Sequence, residues 1–137
     1  MPPSLLYVVK QVELAVRSHL DELLRPHGLT TSTYTALTVL ERRDGLTTAD
    51  LARTSFVTPQ AMADIVTALE GRGHIVRSPD PAHGRRLRTS LTPAGRALLT
   101  SLRTEVEALE ERMLGALDDD ERAVLRCHLD RCRAALS

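Results

Sequence analysis

Four arginines, Arg77, Arg85, Arg86 and Arg88, fall within one short stretch of this chain. Residues 71–103 carry seven basic and one acidic side chain, against six and eight in residues 1–70 and five and nine in residues 104–137. A strong local excess of positive charge therefore sits inside a chain whose formal net charge is zero. Such a patch is an electrostatic footprint for phosphate, and the acidic tail balances the total without neutralising it. Just upstream stand residue types that read rather than attract. Thr58-Pro59 supplies an N-cap and the one helical position where proline costs nothing, so a helix should start there. At about 100° per residue, Gln60, Asp64 and Thr67 then share one face with the small Ala61, Ala63 and Ala68 around them. A bare, polar, small-residue face suits insertion into a groove.

The elements that must position these groups follow from periodicity. Met62, Ile65, Val66 and Leu69 fall at helical spacing on the opposite face, and Gly71 and Gly73 mark the helix end. Before it, Thr47 and Asp50 have capping-box spacing and open a short helix that ends before Phe56. Two short helices joined by a tight turn make a helix-turn-helix. After it, Ile75 and Val76, and Leu87, Thr89 and Leu91, read as two strands. The turn-rich Pro79–Gly84 segment between them predicts a hairpin tipped by Arg85 and Arg86. Leu5–Arg25 carries an apolar stripe (Leu5, Val8, Val9, Val12, Val16, Leu20, Leu23) and should be a long first helix ending before Pro26. Ser32–Arg43 reads as a second, with Tyr34, Leu37 and Leu40 inward and Asp44-Gly45 stopping it. Thr92-Pro93 repeats the cap-plus-proline signal and opens a helix through Leu98, Leu102, Val106, Leu109 and Met113. Asp118 and Glu121 cap a last one carrying Leu125, Leu129, Cys132 and Leu136. Neither terminal helix is needed to close a small core, so with the first helix they leave an apolar surface that a second copy would cover.

The stretch RSPDPAHGRRLRTSLTPAGRALL resembles the wing and following helix of the MarR family of winged-helix transcriptional regulators. The resemblance extends over nearly the whole chain in the order long helix, helix, helix-turn-helix, wing with its Asp-Pro, Arg and Leu-Thr-x-x-Gly-Arg pattern, and two terminal helices. It implies a mainly α (α+β) fold with a winged helix-turn-helix and N- and C-terminal dimerisation helices. The whole of 1–137 would be one MarR-like domain: residues 5–25 and 93–136 dimerise, residues 30–92 form the winged helix-turn-helix, and the wing runs from about 74 to 92. The implied function is sequence-specific binding of double-stranded DNA by a ligand-responsive homodimeric repressor. A two-fold dimer then calls for an inverted-repeat operator with half-site centres about 10 base pairs apart.

Within that reading the DNA-binding candidates are Thr47, Thr58, Pro59, Gln60, Ala61, Ala63, Asp64, Thr67, Arg77, Arg85, Arg86 and Arg88. Thr58 and the helix N-terminus would anchor a phosphate, Gln60 would pair with adenine, and the small side chains would meet thymine methyls. Arg85 matches the family's wing arginine and would enter a minor groove, whereas Arg86, Arg88 and Arg77 would contact phosphate or support structure. The chain departs from the family pattern at His83, where many such wings carry an aspartate that steadies the arginine; a histidine cannot do this as an anion, which leaves the stiffness of the wing open. Asp64 departs too: its carboxylate repels phosphate unless it accepts from cytosine or pairs with a nearby arginine, and the arginine pair is the expected arrangement. The resemblance also implies a small phenolic or anionic effector in a crevice beside the dimer helices, with Arg17, His19 and Tyr34 as its candidate lining.

Other classes find little footing. Aromatics are limited to Tyr7, Tyr34 and Phe56, too few for a base-stacking platform. His19, His27, His74, His83 and His128 form no metal-ligand pair, and no phosphate-binding glycine loop or nucleophile elbow occurs, so neither enzyme nor metal or other cofactor is expected. No apolar run approaches the ~18 residues that span a bilayer and no signal peptide is evident, which predicts a cytoplasmic protein. Cys127 and Cys132, five apart on one helix, point in directions too different to bridge and read as buried core thiols. The alternatives are a winged-helix module for protein contacts and a thiol-based redox-sensing regulator.

Overall fold

Helices begin in this chain where the sequence offers a side-chain acceptor. Thr30 Oγ accepts the Thr33 N–H at 3.2 Å, Thr47 Oγ the Asp50 N–H at 3.2 Å, Thr58 Oγ the Ala61 N–H at 3.1 Å and Thr92 Oγ the Gly95 N–H at 3.1 Å. Each such cap contributes roughly 1 kcal/mol by satisfying an otherwise orphaned donor. The computed structural model describes all 137 residues. In chain order it contains α1 (Leu5–Leu24), a 3-10 turn (Arg25–His27), α2 (Thr31–Arg42), α3 (Thr48–Thr54), α4 (Pro59–Gly71), β1 (Ile75–Asp80), β2 (His83–Leu91), α5 (Pro93–Leu114) and α6 (Asp119–Ala135). The expected mainly helical architecture with one hairpin is therefore present. Of the two capping boxes read from sequence, Asp118 and Glu121 form both reciprocal bonds, whereas at Thr47 the Asp50 carboxylate pairs with Arg53 instead.

The chain divides into two compact units, Met1–Arg103 and Thr104–Ser137, with the division inside α5. The first unit holds an aliphatic core in which Leu24, Leu37, Leu40, Leu51, Met62, Val66, Leu69 and Leu102 are fully buried. Of the predicted inner stripe of α4, Met62, Val66 and Leu69 are buried and Ile65 is partly buried, so the opposite face turns outward. The second unit is built from the C-terminal part of α5 and from α6, joined by the Arg122 guanidinium, which pairs with Glu111 and donates to the Leu114 carbonyl at 3.1 Å.

Three expectations need correction. The turn between the strands is confined to Pro81 and Ala82, because β1 runs on through Pro79 and Asp80 and β2 starts at His83. Pro79 is tolerated since β1 is an edge strand: β2 is flanked on its other side by a bridge from Leu46 to Thr89. Arg85 and Arg86 consequently lie on β2 rather than at the tip. The register jumps from Pro79↔Leu87 to Asp80↔His83, which leaves Gly84, Arg85 and Arg86 outside the regular ladder in a bulge. Finally, Cys127 and Cys132 are exposed, not buried, because α6 presents no buried residue to any core within this chain.

Apolar side chains remain uncovered where the sequence pattern had placed a surplus face. On α1, Leu5 is 80% exposed, Val9 58% and Val12 48%; on α6, Leu129 is 52% exposed. Burying such residues is worth about 25 cal/mol per Å² of apolar surface, and an isolated chain forgoes it.

Candidate nucleic-acid interface

Two elements of the first unit carry the outward-facing groups. On α4, Thr58, Pro59, Gln60, Ala63, Asp64 and Thr67 are all exposed, with Ala61 partly buried beside them. The Thr58 hydroxyl oxygen is occupied as a cap acceptor, which leaves its O–H free to donate outward. Thr67 is less available, since its hydroxyl donates to the Ala63 carbonyl at 2.9 Å. Asp64 has no ion-pair partner, contrary to the expected arginine pairing. Arg77 pairs with Glu70 at the end of the helix, with contacts of 2.7 and 3.3 Å. That hydrogen bond, chiefly, holds the Glu70 carboxyl below its ordinary range.

The wing sorts its arginines into two kinds. Arg88 is structural: its Nε lies 3.2 Å from an oxygen of the buried Asp80, and Nη1 donates to the Gly45 carbonyl at 3.1 Å. Asp80 also accepts the Ala82 N–H at 2.9 Å, the main cause of its lowered pKa, and Arg88 adds to it. The turn is thus braced by Asp80 from β1, so the absence of an aspartate at His83 does not leave the hairpin without an internal anion. Gly45, at φ +74°, both accepts from Arg88 and donates its N–H to the Thr89 carbonyl at 3.1 Å, pinning the wing to the entrance of α3. Arg85 and Arg86 form no ion pair. Their charge is directed to a cleft of about 460 Å³ lined also by Thr47, Thr48, Ala49, Asp50, Arg53 and Leu87. Unpaired guanidinium groups beside hydroxyls form a site for an anionic backbone.

Of the predicted set, the structure brings Thr47, Arg85 and Arg86 together in one cleft, and it spends Arg77 and Arg88 internally. Thr48 and Arg53 were not foreseen. Arg53 sits in a stretch whose overall charge balance is acidic, and no motif in the sequence singles it out.

The proposed effector-lining residues are less convergent. Arg17 pairs with Glu13 on its own helix and His19 is partly buried on α1. Tyr34 on α2 has Glu41 and Arg103 as charged neighbours, and burial is the main cause of its raised pKa. No group of three or more His, Cys, Asp or Glu side chains is placed to hold a metal ion, and no helix is long and apolar enough to cross a membrane.

Comparison with known proteins places this geometry. A profile of the MarR family matches residues 27–86. The HTH-type transcriptional repressor Rv2887 of Mycobacterium tuberculosis is 36% identical over 111 residues, spanning 81% of this chain and 80% of the relative. The crystal structure of that MarR family protein in complex with salicylic acid superposes with a TM-score of 0.77 at 32% identity, covering 96% of this chain and 97% of the other. Its complex with DNA gives 0.78 at 30% identity, covering 96% and 98%. The chain belongs to the MarR family of transcriptional regulators.

Proposed function

We propose that this chain is a sequence-specific, double-stranded-DNA-binding transcriptional regulator that acts in the cytoplasm as a homodimeric, ligand-responsive repressor. Its action is binding, not catalysis. The observation that carries this reading is the pairing of two outward groups in one unit: the exposed small polar face of α4, and unpaired Arg85 and Arg86 over the Thr47–Arg53 cleft. The α4 face enters a major groove, where Gln60 pairs with adenine and Ala61 and Ala63 meet thymine methyls. Thr58 and Thr47 take phosphates, Arg86 a further one, and Arg85 reaches the flanking minor groove. Thr67 and Asp64 border this surface, and the unpaired Asp64 carboxylate repels phosphate unless it accepts from cytosine, which makes it a filter on sequence.

The exposed apolar stripes of α1 and α6 support pairing of two copies through residues 5–25 and 93–136 around two winged helix-turn-helix lobes of residues 30–92. A relative about one-third identical binds salicylic acid and DNA, which supports a small phenolic or anionic effector and a DNA target for this chain as well. Arg17, His19 and Tyr34 are the residues of this chain with suitable chemistry for that effector.

Selection from a pool of randomised duplexes tests the reading. The expected product is an inverted repeat with half-site centres about 10 base pairs apart. Recovery of no enriched sequence would refute it. Exposure of Cys127 and Cys132 favours one second reading, in which thiol oxidation rather than an effector releases the DNA. In that case peroxide weakens duplex binding in the wild type and not in the doubly substituted Cys127→Ser, Cys132→Ser protein.

A further inference from the structure

The C-terminal end of α4 is fastened on two sides by contacts that the DNA-facing surface does not use. Arg72 follows the helix directly, and its own N–H still bonds back to the Ala68 carbonyl at 3.1 Å. Its side chain leaves the helix and crosses to the turn that ends α1. There Nη1 donates to the Gly28 carbonyl at 2.9 Å and Nη2 to the His27 carbonyl at 3.0 Å. Gly28 has φ +70°, and a Cβ built on it would lie 3.1 Å from Arg72 Nη2, so the fork fits closely against bare backbone. On the other flank, the Thr92 hydroxyl donates to the Gly73 carbonyl at 2.6 Å and the Thr92 N–H to the His74 carbonyl at 3.1 Å. Thr92 is also the cap of α5. The segment Arg72–His74 is therefore gripped between the end of α1 and the start of α5.

We propose that Arg72 is a positioning residue for DNA binding: by tying the end of the reading helix to the end of α1, it fixes the spacing at which two reading helices are presented. The inference rests on the homodimeric DNA-binding reading above. The inner stripe of α4 is fixed by Met62, Val66 and Leu69, which are fully buried or nearly so. Arg72 itself is exposed. Losing its fork leaves α4 folded but frees its end to pivot against α1, one of the helices through which the two copies pair. A single subunit on a single half-site is indifferent to such a pivot. Two coupled subunits are not, because the second contact is made at an effective concentration set by how rigidly the first presents it. Arginine is specifically suited here, since its planar fork reaches two carbonyls at once where the point charge of lysine does not.

The probe is the inverted-repeat duplex selected by the wild-type protein, together with a version carrying one inserted base pair between half-sites, a shift of about 3.4 Å, and a single half-site duplex. Wild type should lose about tenfold or more in affinity on the insertion, a penalty of ~1.4 kcal/mol or greater. Arg72→Ala should bind the selected duplex about tenfold more weakly, tolerate the insertion with little further loss, and match wild type on the single half-site to within a factor of about 2. Arg72→Lys, which keeps the charge and lacks the fork, should fall between the two in its spacing preference. Full recovery by Arg72→Lys would make Arg72 a mere charge and overturn the proposal. So would equal losses on full and half sites, which mean a damaged reading helix, or an unchanged spacing preference in Arg72→Ala. Failure of the wild-type protein to bind any duplex would instead bring down the DNA-binding reading itself.

Discussion

Adding one methyl group at Gly95 should destabilise the first unit, and the structure sets the size of the effect. A Cβ built there lies 2.2 Å from the backbone oxygen of His74 and 3.1 Å from a methyl of Leu91. A carbon cannot approach a carbonyl oxygen that closely, so either the start of α5 or the α4–β1 corner must move by about an ångström. Overpacking of this kind costs about 1–3 kcal/mol. The movement also stretches the 3.1 Å bond from the Thr92 N–H to that same carbonyl, adding about 1 kcal/mol. Against this, alanine in a helix gains about 0.5–1 kcal/mol over glycine. The clash wins by roughly 2 kcal/mol, which for a chain of this size lowers the melting temperature by about 5–15 °C. Gly71→Ala is the internal control: it is also helical, and nothing lies within 4 Å of its added atom. Thermal unfolding followed by circular dichroism should show Gly95→Ala melting well below wild type and Gly71→Ala at or above it. If the two variants melt together, the close approach of α5 to His74 is not rigid and the seam at the end of α4 is not as described.

Other expectations follow from the core and from a hydrogen-bonded carboxylate. Met62→Ala empties a fully buried site on the inner stripe of α4, and the urea midpoint should fall by an amount worth about 2–5 kcal/mol with the denaturant slope unchanged; a loss under about 1 kcal/mol would place Met62 outside a packed core. The Asp21 carboxylate accepts from the Thr31 hydroxyl and from the Thr31 N–H at 3.0 Å, and these bonds, the hydroxyl's first, lower its pKa. A depressed folded-state pKa gives stability that is fully present above the unfolded value of about 3.9 and is lost as pH falls through the folded one. Melting temperature should therefore drop as pH falls below about 4, less steeply in Asp21→Asn; parallel curves for the two proteins would remove Asp21 from the acid response.

Helix placement was legible in this sequence because caps and periodicity agree. Thr58-Pro59 and Thr92-Pro93 each start a helix where they should, and the inner residues Met62, Val66 and Leu69 are the ones that periodicity selects. The wing was harder to read for a local reason. Pro79, Asp80 and Gly84 are turn formers by composition, yet the edge position of β1 lets Pro79 pair, and a bulge absorbs Gly84. Phe56, whose φ is +62°, gave no signal at all, since a left-handed residue in a helix-turn-helix is expected to be glycine. Charge counting located the basic patch but could not separate Arg85 and Arg86, which stay unpaired, from Arg77 and Arg88, whose partners Glu70 and Asp80 become neighbours only on folding. Cys127 and Cys132 read as buried because cysteine is a residue type usually found in cores, yet α6 presents no buried residue.

DNA binding as proposed requires the wing and the α4 face to grip the duplex together. Duplex affinity as a function of salt, for wild type and Arg85→Ala, tests it most directly. The logarithm of wild-type affinity should fall steeply and linearly with the logarithm of salt concentration. In Arg85→Ala the affinity should drop at every salt concentration, and the slope should be shallower, since each subunit loses one cation facing the DNA. Identical affinity and slope in the two proteins would contradict it.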